Sequence, residues 1–266
     1  MTTVTEGIDL LEDAKEDGSL SGASLQTLNN LDIGADIENA LGTPALDVES
    51  SEVVLVTLLI DDSGSITHGN NEQVVRDGYN LVLDALTDTT RLSQAQIDSI
   101  LIHCCYLNGG DLYEYRPVAN AERMDGSNYR GSGGTPLYDQ SVVLLGKVIA
   151  KAQEFANEGV AVRTVTLIVT DGHDEGSRRA TARDVATVMK DVLLSEVNIV
   201  AGMGIDDGWT NFRQVFSEMG LCDEWILTPG NTATEIRAAF QLFSQSAQQA
   251  SKTAAFSSMG GFTTQP

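Results

Sequence analysis

The chain has 266 residues, 42% of them hydrophobic, which suffices for one large domain with a sizeable core. Its 38 acids against 16 bases give a net charge of -22, and a surface of that sign repels both nucleic acid and anionic membrane. No apolar run reaches the ~18 residues of a membrane span, and the start "MTTVTEGIDLLEDAKEDGS" lacks the basic-then-apolar order of a secretory signal, so a soluble, cytoplasmic protein is expected.

Residues 1–50 hold eleven acids against one base, Lys15, and no aromatic residue. Leu25, Leu28, Leu31 and Ile37 are spaced for short amphipathic helices, but the charge density favours a solvated, partly disordered arm. Such an arm is open to two uses: docking a basic partner, or folding back to offer an acid such as Glu38 to the protein's own site.

The pattern changes at Val53. "VVLVTLLID" is β-branched and unbroken, as in a strand covered on both faces. In "NEQVVRDGYNLVLDALTD", Val75, Tyr79, Val82 and Leu86 form one helix face, and Gly78 within it marks the close approach of a neighbour. "SILIHCCYL" and "DLYEYRPV" flank Asn108, Gly109 and Gly110, which is a hairpin signal, since Asn and Gly tolerate positive φ. Cys104 and Cys105 then point to opposite faces of a strand, and with Cys222 far away neither a disulfide framework nor a zinc spacing is present.

"GSGGTPLYDQSVVLLGKVIAKAQEFANEG" reads as a glycine loop, a helix and a stop. Strand "VRTVTLIVTD" follows, then a helix over 177–196, strand "VNIVAGMGID", a helix over 210–219, strand "CDEWILTP" and a helix over 232–249. Residues 251–266 lack periodicity and are expected to be a flexible tail. Alternating strands and helices imply a parallel sheet between helix layers, with one antiparallel hairpin at its edge.

In such sheets ligands bind beyond the carboxyl ends of the strands. Three polar clusters fall there: "DDSGS" after the first strand, "SGGTPL" before a helix, and "TDGHDEGS" after "VTLIV". If the strand continues through the first cluster, its period of two sets Asp61, Ser63 and Ser65 on one side, with Asp62 pointing away. Thr135 adds a hydroxyl and Asp171 a second carboxylate. Oxygen donors without a matching histidine or thiolate suit a hard cation, Mg2+, Mn2+ or Ca2+.

The ordered set resembles the von Willebrand factor type A (vWA) domain with its metal-ion-dependent adhesion site, over about residues 52–248. Asp61, Ser63 and Ser65 meet the Asp-x-Ser-x-Ser motif, Thr135 in "GGTPLYD" the downstream threonine, and Asp171 in "VTDG" the later aspartate. The resemblance implies an α/β Rossmann-like three-layer sandwich with a mostly parallel six-stranded sheet and one antiparallel edge strand. It also implies Mg2+ held by Ser63, Ser65 and Thr135, with Asp61 and Asp171 acting directly or through water, and a glutamate or aspartate from a partner protein completing the shell. Intracellular members resembling this domain work beside AAA+ ATPases or in stress and defence gene clusters, which makes an adaptor the expected role.

Trp209, His173, Asp62 and Gly134 share the rim as candidates for partner contact, while His103 is expected in the core. No enzymatic activity is expected. Position 63 is serine where a haloacid-dehalogenase-type phosphotransferase needs a second aspartate, and neither "GxxxxGK" nor "GxSxG" occurs. Metal-assisted hydrolysis is the remaining catalytic alternative, with His173 its only evident base.

Overall fold

The computed structural model describes residues 6–250 and 261–262. The chain opens with helices α1 (Glu6–Glu16), α2 (Gly22–Asn30) and α3 (Gly34–Leu41), then enters β1 (Glu52–Ile60). Short α4 (Gly64–His68), long α5 (Glu72–Leu86) and short α6 (Gln94–Asp98) lead to the hairpin of β2 (Ile100–Tyr106) and β3 (Gly110–Pro117). After α7 (Leu137–Asn157) come β4 (Ala161–Thr170), α8 (Ala182–Leu194), β5 (Asn198–Gly204), α9 (Phe212–Glu218), β6 (Ile226–Leu227) and α10 (Ala233–Ala250).

The six strands lie in the order β3-β2-β1-β4-β5-β6 and are all parallel except for the β2–β3 pair. The chain runs outward from β1 toward β3, then returns to the other side of β1 with β4. The carboxyl ends of β1 and β4 therefore flank the point where strand order reverses, the place where an open α/β sheet forms its binding crevice. Even-numbered residues of β1 (Val54, Val56, Leu58, Ile60) meet α5 and α10, while Leu59 faces the α7–α8 layer. At Gly78 an added Cβ would collide with the ring of Phe240, which accounts for the glycine inside α5. Gly78→Ala is expected to destabilise the fold by about 1–3 kcal/mol in urea unfolding through overpacking.

Residues 6–41 form the short helices that the leucine spacing allows, packed on the domain and not solvated as a partly disordered arm. Leu10, Leu11, Leu25, Leu28, Ile33 and Ile37 are buried in one core with α7 and α8, and Gly146 of α7 leaves room for Ile33 and Leu28. Polar ties fix the segment: Ser21 N donates to Asp191 Oδ2 (2.7 Å), Lys151 Nζ to Thr43 O (2.6 Å) and Arg179 Nη1 to Leu31 O (2.5 Å). Charge density misleads here because most of the acids, Asp13 and Glu38 excepted, occupy the outward faces, leaving the leucines an inward stripe.

Two boundaries also move. β6 shrinks to two residues because 223–225 form a 3-10 turn, and α8 starts at Ala182, behind a capping box of Thr181 and Asp184. Most of the expected tail lies outside the described residues. Phe262 packs edge-on to Trp225, with ring centroids 5.0 Å apart.

Candidate cation site at the carboxyl rim

β1 ends at Ile60, and the backbone of Asp61 still pairs with β4 through Asp61 N to Val169 O (3.0 Å). The chain then turns into α4, with Ser63 as its N-cap and Ser65 in its first turn. Convergence of Asp61, Ser63 and Ser65 thus comes from a strand-to-helix turn and not from continued strand alternation, a correction to the period-two argument. Gly64 N donates to Gly133 O (3.1 Å), which draws the glycine loop before α7 against this turn.

The five oxygen-bearing residues take distinct places. Asp61 is fully buried: its Oδ1 accepts Ser63 N (2.7 Å), and its Oδ2 accepts Thr170 Oγ1 (2.7 Å) and Asp171 N (3.3 Å). Tyr129 from the loop before α7 donates to Asp61 O at 2.6 Å. Ser63 Oγ and Ser65 Oγ lie 2.8 Å apart, and Ser65 Oγ donates to Asp171 Oδ1 at 2.5 Å. Thr135 closes the ring from the other side: a Cβ built on Gly172 would stand 3.6 Å from Thr135 Oγ1 and 3.8 Å from Ser65 Oγ. Gly172 therefore keeps side-chain atoms out of the space between two of the hydroxyls.

Burial pushes the Asp171 carboxyl up to about 6; hydrogen bonds from Ser65 and Asn71 oppose the rise, and the Asp61 charge adds to it. Two carboxylates in one desolvated cluster are the electrostatic setting that a divalent cation relieves. The donor set of three hydroxyls and two carboxylates fits a hard cation, with Asp61, whose oxygens already accept protein donors, best placed to act through water.

Several residues that support the cluster escape sequence reading. Asn71 binds Asp171, and Thr170 binds Asp61. Asp139, near the start of α7, accepts three backbone N–H groups of the loop after Asp171: Arg178 (3.0 Å), Arg179 (3.0 Å) and Ala180 (2.6 Å). Asp139 and Thr170 left a trace in the sequence, as the aspartate of "GGTPLYD" and the threonine of "VTDG". Asn108, expected merely as a turn residue, donates through N and Nδ2 to Asp62 Oδ1 (2.8 and 3.1 Å) and through Nδ2 to Gly134 O (2.7 Å), stitching the hairpin to both loops.

The four partner-contact candidates separate accordingly. Asp62 is buried and bound to Asn108, so it is an internal anchor, and burial raises its pKa against those hydrogen bonds. Gly134 is exposed at the mouth, His173 is exposed with Nε2 3.2 Å from Glu175 Oε1, and Trp209 is 94% exposed.

Among the described residues a second set of metal-ligating side chains converges at His103, Cys105 and Asp111, whose ligand atoms lie within 4.8 Å of one another. Lys147 Nζ sits 2.5 Å from Asp111 Oδ1 and already supplies the positive charge. Burial pushes the Cys105 thiol up to about 12, and its Sγ faces Leu58 O at 3.6 Å. In this half-buried cluster Lys147 balances the Asp111 charge.

The fold and this rim define a three-layer α/β sandwich whose two central strands end in a carboxylate and hydroxyl cluster. Among solved structures, the pilus adhesin SpaC from Lactobacillus rhamnosus GG is similar, with a TM-score of 0.51 at 16% identity over 74% of this chain and 31% of that one. Proximal thread matrix protein 1 from the mussel byssus gives 0.47 at 15% identity over 72% of this chain and 47% of that one, and the SpRpn10 VWA domain gives 0.47 at 10% identity over 70% and 93%. The chain spans less than half the length of the adhesin and the byssus protein, and at these identities the likeness is one of fold alone. No protein-family model and no curated protein matches the sequence. Among the described residues no helix is long and apolar enough to cross a membrane.

Proposed function

We propose that the protein is a divalent-cation-dependent interaction module of the vWA type. Ser63, Ser65, Thr135 and Asp171 hold the ion, with Asp61 behind them, and the ion receives a glutamate or aspartate side chain of a partner protein. Mg2+ is the first choice for an all-oxygen set with room for an outside ligand; Mn2+ and Ca2+ share the donor preference. The observation that carries this reading is the chain of contacts from Ser63 through Ser65 and Asp171 to Asp61, with Thr135 Oγ1 and Ser65 Oγ both facing the side-chain-free space over Gly172. That an adhesin shares the fold accords with an interaction role.

An adaptor in an intracellular complex fits this reading better than a catalyst does, because the imidazoles beside the cluster are exposed and engaged elsewhere, His68 Nδ1 with Gly64 O (2.7 Å) and His173 with Glu175. A second reading is favoured by the exposed acids of α1, Glu6, Asp9, Glu12 and Glu16, which form an outward face suited to a basic partner such as an AAA+ ATPase. Self-inhibition by the N-terminal segment gains no support, since its polar ties run to the α7–α8 layer and its loops.

Calorimetric titration of Mg2+, Mn2+ and Ca2+ into the full chain tests the proposal. One saturable site is expected, and Thr135→Ala should lose it while its melting temperature without cation stays close to that of the parent. Equal binding by both proteins would sink the assignment.

A further inference from the structure

We infer that the rim beside the cluster receives a basic protein segment bearing one carboxylate, with a lysine or arginine of that segment stacked on Trp209. The inference rests on the cation reading above and adds the character of the partner. Of the large hydrophobic side chains exposed among the described residues (Leu46, Leu194 and Trp209), Trp209 alone is aromatic. The other tryptophan, Trp225, is half-buried against Phe262.

The indole stands on a pinned turn. Asp207 Oδ1 accepts Trp209 N (2.9 Å) and Thr210 N (2.7 Å), Asp207 Oδ2 accepts Thr210 Oγ1 (2.6 Å), and Asp206 Oδ1 accepts Gly208 N (2.9 Å). Gly208 takes φ +81°, which a side chain there would resist. Binding on such a turn orders little additional chain, so less affinity is lost to entropy. The turn also adjoins the cluster: Ile205 N donates to Thr170 O (2.9 Å), next to Asp171, and Asp207 lies within electrostatic reach of Asp171.

Charge selects the occupant. The turn contains Asp206 and Asp207 and no base, Glu175 is exposed across the rim, and the chain as a whole carries -22. The nearby bases are each already engaged: Arg213 with Asp223, His173 with Glu175, and His68 with Gly64 O. A partner presenting acids alone would be repelled, so the one carboxylate that reaches a cation must come within a positive surface. A tryptophan face flanked by carboxylates is the strongest aromatic receptor for such a surface's lysines or arginines.

Selection of a random-peptide phage library on the full chain in millimolar Mg2+ tests this. Enriched peptides should carry several bases around one Asp or Glu. A synthetic peptide of that consensus should bind Trp209→Ala about thirtyfold more weakly and Trp209→Phe within a few-fold of the parent, in the manner of an interface anchor. Apolar consensus peptides, no enrichment, or full affinity for Trp209→Ala would each overturn the inference. If binding needs Trp209 yet ignores EDTA and Thr135→Ala, the cation reading fails and the basic surface stands. If binding needs the cation but not Trp209, the cation reading stands and this surface falls.

Discussion

Lys147→Met should cost about 2–3 kcal/mol of folding stability, because it leaves a half-buried carboxylate without its counter-charge. Lys147 is 4% exposed, with Nζ 2.5 Å from Asp111 Oδ1, and the same oxygen lies 3.1 Å from His103 Nε2. Burial works against the Asp111 charge, but the His103 hydrogen bond and the Lys147 charge outweigh it and hold the carboxyl below its ordinary range. Burial also lowers the pKa of His103, against the pull of Asp111, and so disfavours the charged ring in the folded state.

Both shifts carry the same sign for acid stability. His103 takes up a proton in the unfolded chain before the folded one, so stability falls as pH drops below about 6.5. Asp111 contributes stability above the ordinary carboxylate pKa of about 4, and this is lost as pH falls through its lower folded value. In Lys147→Met the main counter-charge is gone and Asp111 protonates earlier, so acid unfolding should begin at a higher pH than in the parent. Urea unfolding across neutral to mildly acidic pH measures both effects. Lys147→Met combined with Asp111→Leu should recover only part of the loss, since it removes the orphaned charge but leaves the buried His103 ring without its acceptor. A single variant within about 1 kcal/mol of the parent would mean that water reaches Asp111 freely.

The sheet was legible because its signals are local. The unbroken β-branched run at 53–60, the Asn-Gly-Gly turn at 108–110 and the helix face of Val75, Tyr79, Val82 and Leu86 each depend on near neighbours in sequence. The collision partner of Gly78 could not be named, since Phe240 lies far along the chain, yet the glycine announced it. The short N-terminal helices are legible in the leucine spacing, but their docking is not, for the converse reason. Their burial depends on the outer surface of α7 and α8, and no composition rule reports whether such a surface awaits them. At the rim, the ligand candidates were readable as motif residues on three loops, whereas the hydrogen bonds that orient them were not. Thr170, Asn71, Asn108 and Asp139 act across gaps of several tens of residues, and each has an ordinary local reading as strand end, turn or helix start.

Asp171→Asn should separate the cation from the fold. Asp171 and Asp61 are buried carboxylates joined through Asp171 N and Asp61 Oδ2, and their like charges oppose each other in a desolvated site. The amide keeps the volume and still accepts a hydrogen bond from Ser65, so without cation the variant should melt at or above the parent temperature. Adding cation reverses the order. A ligand at a hundredfold excess over Kd stabilises the parent by about 2.7 kcal/mol, roughly 5–10 °C for a chain of this size. Asp171→Asn should show almost none of that rise in a thermal scan with and without Mg2+. Gly172→Ala provides an independent arm, since its methyl makes ordinary contacts at 3.6 and 3.8 Å and should leave the cation-free fold unchanged, yet it projects between the Thr135 and Ser65 hydroxyls. If both variants rise with Mg2+ as far as the parent, the cation binds elsewhere. If the parent does not rise at all, the carboxylate pair is a structural strain with no cation to relieve it, and proteins keep such strain where function demands it.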